Sequence, residues 1–237
     1  MSDLPPPAPA AKKSRFPLWL LGCCGGCLLL VVAAAGGILF TVRYMATRIE
    51  EGALPEVQNR TYDEIVANSG LPPGFRIAFG NSFFSFPFVM FIPQEVKGSM
   101  EQAFKKAPEV MAILYRAPES ASERADRDRL FSTGSMPTVP AILRMIMPEE
   151  AKAELESPQF RVGTIPGHEP PLRFAVGKQA RRQRTGDTEK AGEIAFVDLT
   201  PEELEDAVVQ VMIFRTDGAE ITDEFLVKFC ENFRPLK

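Results

Sequence analysis

The stretch that decides the fold is FRIAFGNSFFSFPFVMFI, residues 75–92. Its two apolar segments, Phe75 to Phe79 and Phe83 to Ile92, are rich in Phe and Ile, which favour β-strands. Gly80-Asn81 lies between them and is typical of a turn. The stretch therefore predicts two strands joined at Gly80-Asn81. Pro87 has no N–H to donate to a sheet. Its presence predicts that the second strand is an edge strand or is interrupted at this residue.

The second of these segments is apolar on both faces. Five of the 18 phenylalanines of the chain fall between residues 83 and 91. Such a strand has to be covered by the domain's own core, by a partner or by lipid, because it would otherwise be an aggregation-prone edge. Two interpretations stay open, a core strand and a hydrophobic-ligand site, and both involve the alternating residues Phe84, Phe86, Phe88 and Met90.

Working outward from this stretch, the chain alternates further strands with helices. Apolar segments predict strands at residues 109–116, 159–162, 172–176, 193–197 and 208–215. Capping patterns and apolar periodicity predict helices at residues 62–68, 99–107, 138–147, 148–156, 200–203 and 222–233. Residues 120–129 are highly charged and predict an exposed helix or loop. Strands followed by an amphipathic helix predict an α+β domain, an antiparallel sheet with helices packed on it.

Upstream lies FPLWLLGCCGGCLLLVVAAAGGILFTV, residues 16–42, a 27-residue run without a charged side chain. As a helix it would be roughly 40 Å long, more than the ~30 Å hydrocarbon core of a bilayer. The run predicts one N-terminal transmembrane helix. A cleaved signal peptide, with its cleavage site at residues 33–35, remains an alternative. So does a lipoprotein signal, because Leu20-Leu21-Gly22-Cys23 resembles a lipobox.

Basic residues near the ends of this run predict its orientation. Lys12, Lys13 and Arg15 precede it, whereas Arg43 and Arg48 follow it. The positive-inside rule therefore places the N-terminus in the cytoplasm and the rest outside the cytoplasmic (inner) membrane. The predicted organisation has four parts. They are a disordered cytoplasmic tail (1–15), a transmembrane helix (16–42), a connector (43–60) and an extracytoplasmic α+β domain (61–237).

Small residues recur at four-residue spacing within the run. Gly22 and Gly26 form one such pair, and Ala33 and Gly37 form another. This spacing places small residues on one helix face, where a second helix can approach closely. It predicts either a homodimer through the transmembrane helix or the ordinary abundance of Gly and Ala in such helices.

Charge and cysteine content exclude some classes of function. The chain has 27 Lys/Arg and 31 Asp/Glu residues, and residues 1–43 contain four of the basic ones and one of the acidic ones. The rest of the chain therefore carries 23 basic and 30 acidic side chains. This acidic balance argues against nucleic acid as a partner. Cys230 is the one cysteine outside the apolar run, and its place on the last helix predicts a buried core thiol.

Catalytic and metal-binding patterns are missing from the sequence. His168, the one histidine, lies in IPGHEPP, which predicts an exposed loop residue rather than a general base. The sequence predicts no catalytic residue, no metal site and no cofactor. A basic cluster predicts either a solvated hairpin end or a contact with an acidic partner or lipid phosphates; it comprises Lys178, Arg181, Arg182, Arg184 and Lys190.

A basic tail, a Gly/Cys-rich run and LPPGF, residues 71–75, opening a small α+β domain give the chain its layout. In this it resembles uncharacterised single-pass bacterial membrane proteins. The resemblance implies an envelope location and assigns neither an activity nor site residues.

Together these features predict a single-pass protein, anchored in the lipid bilayer, with a non-catalytic extracytoplasmic domain that binds or scaffolds an unidentified protein partner. One alternative is an envelope protein that binds lipid or another hydrophobic ligand through Phe83 to Phe91. Another is an envelope hydrolase of unrecognised class, for which His168 is the best candidate residue.

Overall fold

A computed structural model of the protein describes residues 43–44, 46–66, 69–83, 86–97, 108–136, 160–179 and 192–234. The chain divides into two compact units, Met1–Thr47 and Arg48–Lys237, and nearly all described residues belong to the second. No helix within the described residues is long and apolar enough to cross a membrane. Several predictions lie outside the described residues: the tail 1–15, the run 16–42 with Gly22, Gly26, Ala33 and Gly37, the residue Phe84, the helices 99–107, 138–147 and 148–156, and the basic residues 181–190.

Seven strands form one antiparallel sheet in the described part of the chain, which confirms the predicted α+β class. The strands are β1 (Phe75–Phe83), β2 (Phe86–Pro93), β3 (Val110–Pro118), β4 (Arg161–Ile165), β5 (Leu172–Gln179), β6 (Gly192–Asp198) and β7 (Ala207–Arg215). Their order across the sheet is β1-β2-β3-β7-β6-β5-β4. The central β3–β7 ladder joins the two halves of the domain, and β1 and β4 are the edge strands.

Helices cover both faces of this sheet. They are α1 (Pro55–Ile65), α2 (Ala121–Thr133) and α3 (Asp223–Cys230), and residues 43–44 and 46–52 are helical as well. Buried side chains of α1 and α3 join one hydrophobic core, and those of α2 join the other. We refer to the two sides of the sheet as the α1/α3 face and the α2 face.

The predicted turn at Gly80-Asn81 is wrong, because β1 continues through both residues to Phe83. Gly80 pairs with Val89 and Asn81 with Phe88. The glycine is needed for close packing instead, since a Cβ atom on it would lie 2.9 Å from the Cα atom of Gln58. A pattern that often marks a turn therefore marks here a close approach between a strand and a helix.

Pro87 was predicted to lie on an edge strand or at an interruption, but β2 is an interior strand between β1 and β3. Pro87 pairs with Ser82 of β1, and the ladder with β3 begins at Phe88. The proline therefore lies at the start of the strand, where β3 requires no N–H donor from it.

Two helix predictions are corrected. The helix predicted at residues 62–68 begins at Pro55 instead, because a proline in the first turn is compatible with a helix start, and Thr61 is a buried residue of its interior. The helix predicted at Thr200 is a turn, closed by the Leu204 N–H donating to the Pro201 carbonyl at 3.1 Å. Thr200 Oγ1 does not cap a helix, because it exchanges hydrogen bonds with the N–H and carbonyl of Val209.

The last helix is confirmed. Thr222 caps α3 by accepting a hydrogen bond from the Phe225 N–H at 3.2 Å. Its apolar stripe enters the α1/α3 core, where Phe229 lies 4.9 Å from Phe75 and 6.3 Å from Phe91 between ring centroids. Cys230 is fully buried there, as predicted.

The α2 face has a smaller apolar core. Alternate β3 residues supply the two sides, since Ala112 and Leu114 belong to the α1/α3 core whereas Ile113 and Tyr115 belong to the α2 core. This explains why the strands are apolar without alternation: both of their faces are covered.

Candidate functional site

A groove of about 840 Å³ opens at one end of the sheet, and we call it the end groove. Three segments that are distant in sequence line it: residues 167–173, residues 198–203 and residues 231–234, the last of them directly after α3. Strand register brings the first two together, because Arg173 of β5 pairs with Asp198 of β6. Asn232 Nδ2 fixes the third by donating to the Leu71 carbonyl at 3.0 Å.

Proline stiffens two of the groove walls. Pro170 and Pro171 lie in the β4–β5 connection, and Pro201 follows β6. Each proline ring fixes its own φ angle, so these walls lose little conformational freedom when a ligand binds. The backbone of these two walls is thus restricted at the proline positions.

The rim of the groove is acidic. Four exposed carboxylates line it, and none makes an ion pair with a cation among the described residues: Glu169, Glu202, Glu203 and Glu231. The cation on the inner wall, Arg173, is already engaged, because its Nη2 lies 2.6 Å from Asp198 Oδ2 and its Nη1 lies 3.0 Å from Asp128 Oδ1. Arg234 also lines the groove, so four exposed carboxylates are accompanied by one exposed guanidinium and the rim carries a net negative charge.

His168 lines the groove but is half-buried, which corrects the expectation of an exposed loop residue. Burial lowers the pKa of His168, a hydrogen bond to the Cys230 carbonyl opposes this, and the charge of Arg234 lowers the pKa further. The ring is therefore held by a main-chain carbonyl.

The nucleophilic groups around the groove are hydrogen-bonded to the main chain or buried. Thr200 is the hydroxyl residue among the described groove residues, and its Oγ1 is occupied by the main chain of Val209, 3.1 Å from the N–H and 3.2 Å from the carbonyl. Burial raises the pKa of the Cys230 thiol, which keeps it protonated. Neither group is paired with His168 as a nucleophile is with its base.

A buried charged cluster lies behind the inner wall, where α2 packs on the sheet. Arg127 of α2 lies 3.1 Å from Asp198 Oδ1 and 2.9 Å from Glu119 Oε1. The side chains of Asp198, Glu119 and Arg127 are 5 %, 4 % and 10 % exposed. These residues, together with Arg173 and Asp128, tie the end of β6, the start of β5 and helix α2 to one another.

The register of the sheet explains why polar groups meet here. Tyr115, Gln210, Asp198 and Arg173 are successive partners across β3, β7, β6 and β5 on the α2 face. The Tyr115 hydroxyl donates to Gln210 Oε1 at 2.6 Å. One polar row therefore crosses the otherwise apolar face and ends in the charged cluster.

Glu119 is the least satisfied member of this cluster. Its Oε2 accepts no well-aligned hydrogen bond within the described residues, and Arg124 Nε lies 3.7 Å from it. Burial raises the pKa of Glu119 above its ordinary value, while the guanidinium of Arg127 acts in the opposite direction. The desolvation of ionised Glu119 therefore offsets part of the stabilisation that its ion pairs provide.

The predicted hydrophobic strand contributes to both cores. Phe86, Phe88 and Met90 are half-buried on the α2 face, where Phe88 lies 5.5 Å from Phe79 between ring centroids. Val89 and Phe91 are fully buried on the opposite face. The hydrophobic-ligand interpretation of this strand stays a prediction, as do the helix-packing roles of Gly22, Gly26, Ala33 and Gly37.

Sequence reasoning did not identify the groove or the charged cluster. The available signal was a charged residue near one end of each of two largely apolar strands. Asp198 ends GEIAFVD, and Arg173 lies at the start of LRFAV. Within the described residues, no group of histidine, cysteine and acidic side chains is arranged to hold a metal ion. No protein-family model, no curated protein and no solved structure matches the chain.

Proposed function

We propose that this is a single-pass protein of the cytoplasmic membrane, with its N-terminus inside and a non-catalytic binding or scaffolding domain outside. The 27-residue uncharged run supports the anchor, because it is long enough to span a bilayer as a helix. The end groove supports a binding role, since it is a recess whose inner-wall charges, Arg173 and Asp198, are paired with each other, whereas its four rim carboxylates have no ion-pair partner among the described residues. That division of charge is the observation that carries the proposal.

The partner that fits this rim is a cationic segment of another protein. Lysine or arginine side chains would meet Glu202 and Glu203 on one wall and Glu169 and Glu231 on the others. Charge complementarity of this kind guides association and selects partners more than it adds affinity. Exposed carboxylates gain little from each contact, so we expect weak, salt-sensitive binding.

Hydrolysis is supported less well than binding. A hydrolase would need a nucleophile within reach of His168. Thr200 is bonded to the main chain of Val209, and the Cys230 thiol is buried. The groove residues are therefore arranged to present charge rather than to activate a nucleophile.

The test measures binding of a fluorescent heptalysine peptide to the full-length protein in detergent, with heptaglutamate as the negative control. We expect the double variant Glu202→Gln/Glu203→Gln to bind about three- to tenfold more weakly. The matched control is Glu205→Gln, which removes an exposed carboxylate of the same connection that does not line the groove. Equal binding by wild type and double variant would contradict the proposed site.

A further inference from the structure

Residues 48–54, which we call the tether, are packed against the edge strand β1. A Cβ atom on Gly52 would lie 2.3 Å from the Phe79 ring, so only a glycine fits there without a shift. The Gln58 amide, which is 9 % exposed, bridges the two elements by donating to the Gly52 carbonyl at 3.3 Å and the Ala78 carbonyl at 3.3 Å. The tether is therefore part of the fold and not a free linker.

The beginning of the tether is fixed as well. Asn81 of β1 is 2 % exposed, and its Nδ2 donates to the carbonyl of Arg48. Its Oδ1 accepts from the Ser82 N–H at 2.7 Å, so the amide is held at both ends. A buried side-chain amide satisfied in this way fixes the chain that it contacts.

Two large apolar side chains on the tether remain exposed. Ile49 is 46 % and Leu54 is 53 % exposed, and the other large hydrophobic residues with comparable exposure in the described chain are Leu71 and Val227. Single exposed apolar residues are common on protein surfaces. What distinguishes this pair is position: six peptide steps separate Val42, the end of the apolar run, from Arg48, and they can extend at most about 22 Å.

We propose that the tether is a membrane-contacting surface, with Ile49 and Leu54 at the lipid interface, and that it holds the β1 edge of the domain at the bilayer. This inference rests on the proposed membrane anchor. The contact is apolar rather than electrostatic, because within the tether Arg48 is paired with Glu51 at 3.2 Å and Glu50 adds a negative charge. Apolar side chains at this depth gain from burial among the upper acyl carbons whatever the headgroup charge.

The experiment uses tryptophan fluorescence in the full-length protein, reconstituted in phosphatidylcholine vesicles whose acyl chains are brominated near the headgroup. The chain contains one tryptophan, Trp19, within the apolar run. In a Trp19→Phe background, Leu54→Trp reports on the tether and Val227→Trp is the matched control, because both replace exposed apolar residues. We expect quenching at position 54 to exceed that at position 227 by at least about twofold, with or without anionic lipid.

Quenching of Trp19 in the unmodified chain separates the possible failures. Quenched Trp19 with equal quenching at positions 54 and 227 would overturn the tether contact and leave the anchor intact. Unquenched Trp19 would overturn the anchor and, with it, the tether contact. Circular dichroism of both variants verifies that the fold is retained.

Discussion

The two faces of the sheet are covered by different kinds of contact. On the α1/α3 face, aromatic rings of β1, β2, α1 and α3 pack together, and Phe91 lies 5.9 Å from Tyr62 and 6.3 Å from Phe233 between ring centroids. On the α2 face, a smaller apolar core is supplemented by Arg127, Asp198 and Glu119. Buried apolar area stabilises largely independently of pH, whereas buried ion pairs stabilise only while each charge keeps its partner. The charged cluster of the α2 face also supplies Arg173 and Asp198 to the inner wall of the groove, so on this face the ion pairs that stabilise the fold also form part of the groove.

The largest expected effect is on the aromatic face. Phe91→Ala removes a fully buried ring and should lower the free energy of unfolding by about 3–5 kcal/mol. Urea unfolding of the full-length protein in detergent, followed by circular dichroism, measures it. The matched control is Met90→Ala, a half-buried neighbour on the opposite face, whose smaller effect would show that the loss follows burial of the side chain.

Next is the charged cluster on the α2 face. Asp198→Asn leaves Arg127 and Arg173 without their shared carboxylate and should lower the free energy of unfolding by about 2–3 kcal/mol. This is less than the loss expected for a fully buried ion pair, because Arg173 is 39 % exposed. Urea unfolding provides the value. A loss below about 0.5 kcal/mol would mean that the cluster contributes no more than a surface ion pair.

A pH-dependent comparison sharpens the contrast further. Burial raises the folded-state pKa of Glu119 above its ordinary 4.5, so its protonated form favours folding. The stability that protonated Glu119 contributes is fully present below its unfolded-state pKa, and it is lost as pH rises through its folded-state pKa. Glu119→Gln imitates the protonated form, so we expect its stability relative to wild type to improve from pH 4 to pH 7.

Asp217 supplies a control of opposite sign. A hydrogen bond from Arg215 lowers the pKa of Asp217 below its ordinary 3.8. Its contribution is present above the unfolded-state pKa and is lost as pH falls through the folded-state value. Asp217→Asn should therefore be destabilising at pH 7 and neutral in strong acid. If the stabilities of the Glu119 and Asp217 variants relative to wild type changed in the same direction with pH, the assigned directions of the two pKa shifts would be contradicted.

The smallest effect is expected at the surface. Arg161 and Asp223 form an ion pair whose side chains are 49 % and 66 % exposed. Asp223→Asn should change the free energy of unfolding by less than about 1 kcal/mol, because solvent screens such pairs. An effect as large as that of Asp198→Asn would remove the distinction between buried and exposed pairs.

Local sequence predicted the strands and the last helix well, for an identifiable reason. Apolar segments such as EIAFV and VVQVMIF are rich in residues that favour strands, and Thr222 is a strong helix cap. Tertiary contacts decided the points where prediction was wrong. Gly80 and Thr200 carry local turn and helix signals, but the approach of Gln58 and the main chain of Val209 determine their actual roles.

The site was beyond such reasoning because its parts are distant in sequence. Arg127 and Asp198 are separated by 71 positions, and Arg173 and Asp198 by 25. Only the β5–β6 register and the docking of α2 bring them together. The end groove likewise needs three segments to meet at one end of the sheet, whereas the apolar run of residues 16–42 could be interpreted from composition alone.

Protease digestion of intact bacterial spheroplasts tests the central claim, a tethered domain outside the cytoplasmic membrane, most directly. The full-length chain would carry one epitope tag before Met1 and another after Lys237. We predict that external protease removes the C-terminal tag and leaves the N-terminal tag on a short membrane-bound fragment. Survival of the C-terminal tag, or release of the intact chain into the soluble fraction, would contradict the account.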